Sequence, residues 1–275
     1  MKAQFKVLAA ATMALATASG MMPARADLNL NGEVGLPLNP TAQIPNRDGV
    51  RVQANYYDEG SIFGSDFTYY GLGAAGSISD KLEINGAVNR FRVSNSGGLN
   101  RTGVAIGAKY LFTRESDPAG VRLAAGVGYN GALLNNTHVY VVGTKYLGTV
   151  SGDRAPVTGH LGLRYDRFDE DNFAGKSDKA SIYGGVEIPF TRKGDLAFVG
   201  ELQSKNNDFG FEKIPYSASV RFRQRGRGLS ASAGIQRQGL TGESGLFLQL
   251  GYSFDTGQIT GDDDDNAASG AVPIR

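Results

Sequence analysis

The most regular hydrophobic pattern in the chain runs from Leu246 to Phe254, where every second residue is large and apolar. The residues between them include Gln249, Gly251 and Ser253. Because successive side chains of a strand point to opposite faces, this pattern predicts a strand with one apolar face and one mostly small or polar face. The apolar face ends in two aromatic residues, which is typical of a membrane-spanning barrel strand at the bilayer interface.

The same alternation recurs through most of the chain and predicts about twelve strands. Their expected ranges are 50–57, 66–79, 82–93, 102–112, 121–129, 138–146, 157–168, 179–190, 196–205, 216–225, 229–237 and 244–254. Tight turns alternate with somewhat longer links, as expected when one rim of a barrel faces the periplasm and the other the exterior. The links at 113–120 and 143–156 would lie at the periplasmic rim but are not short. A count of about ten or fourteen strands therefore remains possible.

A soluble β-sandwich would also show alternating strands. Sandwich strands usually run about 5–6 residues, whereas strands that cross a bilayer need about 9–11. Several predicted strands reach the longer length, and aromatic residues such as Tyr110, Phe112 and Phe190 concentrate at strand ends. The sequence therefore predicts an all-β protein, a transmembrane antiparallel up-and-down β-barrel.

The regions outside the predicted barrel have their own composition. Residues 1–26 resemble a signal peptide: Lys2 and Lys6 precede an apolar stretch, and Ala24-Arg25-Ala26 is typical of a cleavage site. Residues 27–48 contain three prolines, which suggests a periplasmic lead-in or a segment that partly plugs the barrel. The barrel is expected over residues 49–254, and residues 255–275 read as an acidic disordered tail.

Composition narrows the chemistry further. The 28 basic and 27 acidic residues nearly balance, so nothing points to nucleic acid as a partner. With no cysteine, a disulfide or a thiolate metal site is not possible. We expect no metal and no cofactor. Asp169, Glu170 and Asp171 could attract calcium, but their spacing does not match a known calcium loop, and we interpret them as a solvated loop.

The side chains opposite the apolar strand faces should line the lumen, because a charge facing lipid at the midplane costs about 2–4 kcal/mol. The expected charged lining consists of Arg164, Asp166, Glu187, Glu201, Lys205, Arg221 and Arg223. Neighbouring strands should bring Glu187 and Glu201 close to Arg221 and Arg223. Two interpretations stay open: a basic constriction that selects anionic solutes, or a self-neutralising network that fills a narrow barrel.

An enzymatic interpretation would need a nucleophile, a base and an orienting group within reach of each other. The only histidines are His138 and His160, and Thr158 beside His160 is a poor nucleophile. We therefore expect no catalytic residue and no enzyme activity.

One short stretch resembles a known family. Gly35–Ala42, followed by Ile44–Gly49, is similar to the lead-in before the first strand of YjbH-like outer-membrane barrel proteins. This resemblance implies an association with exopolysaccharide export and envelope maintenance, and it implies no catalytic residues.

The expected function is a porin-like channel or structural envelope protein for small polar or anionic solutes. The alternatives are a component that supports exopolysaccharide export or envelope assembly and, third, an outer-membrane lipid-modifying enzyme. The expected location is the cell outer membrane, with outer-membrane lipid and the barrel assembly machinery as partners, and small anionic solutes or polysaccharide as cargo.

Overall fold

A computed structural model of the chain describes twelve stretches. They are residues 27–45, 49–62, 65–94, 100–114, 120–131, 135–147, 156–170, 175–191, 194–205, 213–224, 228–237 and 243–255. The signal peptide expected over residues 1–26 and all but the first residue of the expected tail lie outside the described residues. Among the residues described, no helix is long and apolar enough to cross a membrane.

Strands make up almost all of the described structure. They are β1 (Gly49–Ile62), β2 (Ser65–Ser79), β3 (Leu82–Val93), β4 (Asn100–Thr113), β5 (Arg122–Asn130), β6 (Asn135–Leu147), β7 (Val157–Glu170), β8 (Gly175–Pro189), β9 (Leu196–Gln203), β10 (Tyr216–Arg223), β11 (Leu229–Arg237) and β12 (Gly245–Asp255). The expected all-β fold and strand number are confirmed, and the expected bounds lie within a few residues of these.

The strands form one closed antiparallel barrel in which each strand pairs with its sequence neighbours. β12 closes the barrel against β1, with Gly49 opposite Asp255 and Tyr57 opposite Phe247. We call the rim where Gly49 and Asp255 meet the terminal rim, and the other end the opposite rim. Closure pairs the edge strands that an open sheet would leave exposed, as a membrane requires.

The outer surface of the barrel is apolar. Leucines at the middle of the strands are strongly exposed, among them Leu161 at 66% and Leu163 at 61%. On the same strand the alternate residues His160 and Asp166 are buried. This polarity is the reverse of a soluble protein and fits a barrel whose outer face contacts lipid.

A segment before the first strand fills much of the space inside. Residues 27–45, which we call the plug, are buried except for four half-buried residues, Leu30, Leu38, Gln43 and Ile44. Residues 27–48 were expected to form a periplasmic lead-in or a segment that partly plugs the barrel, and residues 27–45 lie inside the barrel, as the second expectation has it; residues 46–48 lie outside the described residues. Apolar plug residues pack against the wall, as Leu28 and Val34 do with Ala75, and the polar backbone of the plug bonds to polar wall side chains.

A tight turn forms the tip of the plug. The Asn29 Oδ1 atom accepts hydrogen bonds from the backbone N–H groups of Asn31, at 2.9 Å, and Glu33, at 3.0 Å. Asparagine commonly closes turns in this way. Gly32 has a φ of 83°, and a Cβ there would lie 2.3 Å from the Gly86 carbonyl oxygen in the wall. Only glycine fits this point.

Replacing Leu163 by Arg should lower the free energy of unfolding by about 2–4 kcal/mol, since a charge would face the middle of the bilayer. Leu147 is also exposed but ends β6 near the terminal rim, so Leu147→Arg should cost only about 0–1 kcal/mol. Urea titration of both variants folded in lipid vesicles measures the difference. Equal losses would contradict the outward, mid-membrane position of Leu163.

Candidate functional site

The inner face of the barrel is more basic than acidic. Its described strand side chains include the basic residues Arg51, Arg101, Lys109, Arg122, Arg164, Lys179, Arg221 and Arg223, and the acidic residues Glu83, Asp166, Glu187 and Glu201. All of them share a face with buried residues of their own strand. Basic side chains thus outnumber acidic ones by eight to four on the described wall.

The plug carries the opposite charge. Between residues 27 and 45 its only ionisable side chains are Asp27 and Glu33. Burial raises the pKa of Glu33, but its contact with His138 and its hydrogen bond from Asn29 outweigh burial and bring the pKa down to about 2. The plug therefore adds negative charge to a basic lumen and offsets part of it.

The most concentrated contact between plug and wall is a charge cluster at Asp27. The Arg223 Nε atom donates to Asp27 Oδ2 at 2.6 Å, and a second bond from the same guanidinium reaches the same oxygen. Arg221 Nε lies 3.1 Å from Asp27 Oδ1. Glu187 approaches both arginines. Its Oε1 atom lies 3.2 Å from Arg221 Nη1, and its Oε2 atom lies 3.3 Å from Arg223 Nη2. Two guanidinium groups thus face two carboxylates, one of which belongs to the plug.

Polar contacts extend from this cluster to the other end of the plug. His160 Nε2 lies 3.5 Å from Glu187 Oε1, and His160 Nδ1 lies 2.9 Å from Thr144 Oγ1. The same threonine oxygen accepts a hydrogen bond from the backbone N–H of Ala42 at 3.0 Å. A chain of polar contacts therefore leads from Asp27 to Ala42 through the wall, and its step between Glu187 and His160 is a 3.5 Å contact without a hydrogen bond.

A second charged pair holds the middle of the plug. Lys109 Nζ and Glu83 Oε2 are 2.9 Å apart and both side chains are fully buried. Lys109 also donates to the Val34 carbonyl oxygen at 2.8 Å, and Glu83 Oε1 accepts from the Val34 N–H at 3.1 Å. One ion pair thus satisfies both backbone groups of a single plug residue.

Two further wall residues bind the turn at residues 36–40. Glu201 accepts from the Leu38 N–H at 2.7 Å and from the Asn39 side-chain amide at 3.2 Å. Ser217 donates to the same carboxylate at 2.7 Å. The Tyr183 hydroxyl donates to the Pro40 carbonyl oxygen at 3.1 Å. These contacts hold irregular backbone that forms no strand pairing with the wall among the described residues.

Toward the opposite rim the lining becomes more aromatic. Tyr57, Tyr69, Phe91 and Phe247 form a buried cluster against which Leu30 of the plug packs. Tyr57 stacks on Phe247 with ring centroids 5.6 Å apart. Tyr57 therefore faces the lumen and not the membrane interface.

Most of the charged residues expected in the lumen lie there, but their partners differ from expectation. Arg221, Arg223 and Glu187 are together as expected, whereas Glu201 bonds to plug backbone rather than to an arginine. Arg164 forms a pair with Asp166 on its own strand, at 2.7 Å. Lys205 differs from the expectation: β9 ends at Gln203, and Lys205 lies beyond it and is exposed.

Sequence reasoning missed Asp27, Glu33, Glu83 and Lys109 as members of the site. Alternation alone could have found two of them, because Glu83 and Lys109 lie opposite apolar faces of β3 and β4. The strand register then places them directly across from each other. No local pattern marks the plug carboxylates, because their burial depends on the whole barrel.

The described interior contains no group of three or more acidic, histidine or cysteine side chains placed to hold a metal ion. The contacts of His160 are with Thr144 and Glu187, and those of His138 are with Asn136 and Glu33. These groups hold other lining residues and the plug in place.

Comparison with known proteins supports the fold and leaves the sequence family open. No family model matches the chain, and no curated protein matches its sequence. The KdgM porin is similar in structure, with a TM-score of 0.50 and 14% identity over 75% of this chain and 99% of that chain. The NanC porin has a TM-score of 0.51 and 13% identity over 74% of this chain and 98% of that one. The chain shares the barrel fold of these porins.

Replacing Lys109 by Met should lower the free energy of unfolding by about 3–5 kcal/mol, because Glu83 would keep a buried charge without its cation. The double variant Glu83→Gln/Lys109→Met should recover most of that loss, since neither charge remains. Lys145→Met, on the exposed face of β6, is the matched control and should change stability by no more than about 0.5 kcal/mol. Denaturant titration of the three variants measures these differences in the free energy of unfolding. A Lys109→Met variant as stable as the Lys145→Met control would contradict the role of the ion pair.

Proposed function

We propose that this protein is a porin-like channel of the outer membrane for small anionic solutes, in a state in which the plug occupies the lumen. The observation that carries this proposal is the inner wall, where basic side chains outnumber acidic ones by eight to four among the described residues. Rings and rows of basic side chains in a pore favour anions.

The charge pattern favours transport over a purely self-neutralising filling. A wall that only needed to fill itself would gain most from near-equal numbers of both charges, because like charges repel each other and an excess of one sign works against a compact structure. The plug supplies two of the missing carboxylates, at Asp27 and Glu33. The excess positive charge of the wall thus has an anionic occupant in this state and would attract another when the plug is absent.

The structural similarity to two porins supports the same proposal, although at 13–14% identity it concerns the fold alone. The apolar outer face supports contact with outer-membrane lipid, and insertion by the barrel assembly machinery follows from that location. We propose that the chain acts without enzyme chemistry.

A structural envelope protein is the second candidate, and the plug is the observation that favours it. The plug makes hydrogen bonds to the wall along its whole length, from Leu28 to Pro45. If it never leaves, the barrel is a closed scaffold. The other expectations, support of exopolysaccharide export and lipid modification, gain nothing from the described residues or from the family comparison.

Deleting residues 27–45 should give a barrel with steady single-channel conductance in planar bilayers, because the segment inside the lumen is gone. The full chain should conduct less and intermittently. Circular dichroism of the deleted barrel in detergent verifies that it is folded. A folded barrel that conducts no ions in any salt would reject the channel and leave the scaffold.

A single substitution can weaken the plug without removing it. Gly32→Ala forces a positive φ on alanine and places its Cβ against the Gly86 carbonyl, so it should raise the open fraction of the full chain. Gly120 has a φ of 58° with nothing within 4 Å of a Cβ, so Gly120→Ala carries similar backbone strain away from the plug. We expect conductance to rise for the first variant only; equal traces would contradict the role of the tip turn.

In the plug-deleted barrel, Arg221→Gln/Arg223→Gln should lower the ratio of anion to cation permeability, since two lumen cations are lost. Arg90 and Arg92 have the same spacing on β3 but are exposed on the outer face, which makes Arg90→Gln/Arg92→Gln the matched control. Reversal potentials in a potassium chloride gradient measure the ratio. If the ratio is the same in all three barrels, the two lumen arginines do not set selectivity.

A further inference from the structure

We propose that Arg221 and Arg223 form a binding site for carboxylate-bearing solutes, and that Asp27 of the plug occupies this site as an internal competitor. A solute carboxylate bound there would displace Asp27 and release the plug. This inference rests on the proposed channel and adds to it the chemical class of the solute and the means of opening.

The two arginines are arranged to hold a carboxylate. They lie two residues apart on the inner face of β10, and both reach Asp27, Arg221 through Nε at 3.1 Å and Arg223 through Nε at 2.6 Å. Arginine donors in a fork match the geometry of a carboxylate better than that of a spherical ion. Asp27 therefore marks where a free carboxylate would bind.

Without the plug, the wall supplies one negative charge fewer than this site has positive charges. Without Asp27, the cluster holds the two arginines against the single carboxylate of Glu187. Arg221 is only 1% exposed while the plug is in place, so the plug shields its guanidinium from solvent in this state. A carboxylate of another molecule is the natural substitute for Asp27, because charge-assisted hydrogen bonds from arginine to a carboxylate are among the strong ones.

Asp27 does not saturate the site. The Nε and Nη1 atoms of Arg221 lie at ion-pair distance from carboxylate oxygens, but neither makes a hydrogen bond in this state. Asp27 is limited in how it can turn, because its own carbonyl oxygen accepts from the Gly35 N–H at 3.0 Å within the plug. A solute carboxylate is free to align with both guanidinium groups, which gives it an advantage over the tethered one.

Displacing Asp27 would loosen the rest of the plug because the contacts are linked. The network from Arg221 and Arg223 continues through Glu187, His160 and Thr144 to the Ala42 N–H. The remaining described attachments include hydrogen bonds with wall side chains, among them those at Val34 and Leu38, which hold the plug together with this network. The solute binds at this site only when Asp27 is out, so its binding shifts the population toward the open state.

The absence of cysteine from the chain allows a direct test of plug release. Ala42 is fully buried in the full chain, so the thiol of an Ala42→Cys variant should react slowly with a bulky, water-soluble maleimide in detergent. Gluconate should raise the labelling rate about tenfold, which corresponds to about 1.4 kcal/mol of weakened plug binding. Sorbitol, which lacks the carboxylate, and potassium chloride at the same ionic strength should leave the rate unchanged.

Variants in the same Ala42→Cys background locate the effect. Asp27→Asn should raise the rate without any solute and leave little further response to gluconate. Arg221→Gln/Arg223→Gln should remove the response, whereas Arg90→Gln/Arg92→Gln should keep it. The proposal is overturned if chloride accelerates labelling as much as gluconate does, if the lumen-arginine variant still responds, or if gluconate has no effect.

The labelling results do not depend on whether the barrel conducts ions. Labelling reports movement of the plug and needs no ion flow, while conductance of the plug-deleted barrel needs no plug. A conducting barrel whose plug ignores gluconate would reject the carboxylate site alone. A plug that responds in a barrel that never conducts would reject the channel alone and leave the site.

Discussion

The structure depends on one constraint: polar groups cannot face the hydrocarbon core of a membrane without partners. Closure of twelve strands satisfies the backbone, and alternation places the buried charges of the described strands on the inner face. The consequence is an interior crowded with polar side chains that need partners of their own. The plug supplies many of these partners, and its own irregular backbone needs the wall for the same reason.

This mutual dependence explains why the plug is irregular. Its N–H and C=O groups at Leu28, Val34 and Leu38 bond to wall side chains rather than to each other in a sheet. Side-chain partners allow a chain with prolines and a positive-φ glycine to sit within a barrel without adding a strand. They also make the attachment a set of side-chain contacts, a form of binding that can be reversed more easily than a backbone ladder shared between strands.

The wall and the plug carry opposite net charge. The described wall is basic in excess, the plug is acidic only, and they meet most closely at Asp27. A purely structural filling would not require this asymmetry between wall and plug. The proposed passage of anions and the proposed competition at Arg221 and Arg223 are both interpretations of that asymmetry, and they differ in whether the plug moves.

The sequence by itself determined the barrel: a period of two over long strands indicated about twelve antiparallel strands and the face of most residues, because a strand has only two faces. It also placed Arg221, Arg223 and Glu187 in the lumen, since lipid excludes charge. Only the tertiary structure decided the partners. Asp27 lies far from Arg223 in sequence, and no local pattern of residues 27–45 indicates which wall side chains they contact. Glu201 was expected near arginine and instead binds Leu38, because the enclosed space is shared with a segment whose path depends on every strand at once.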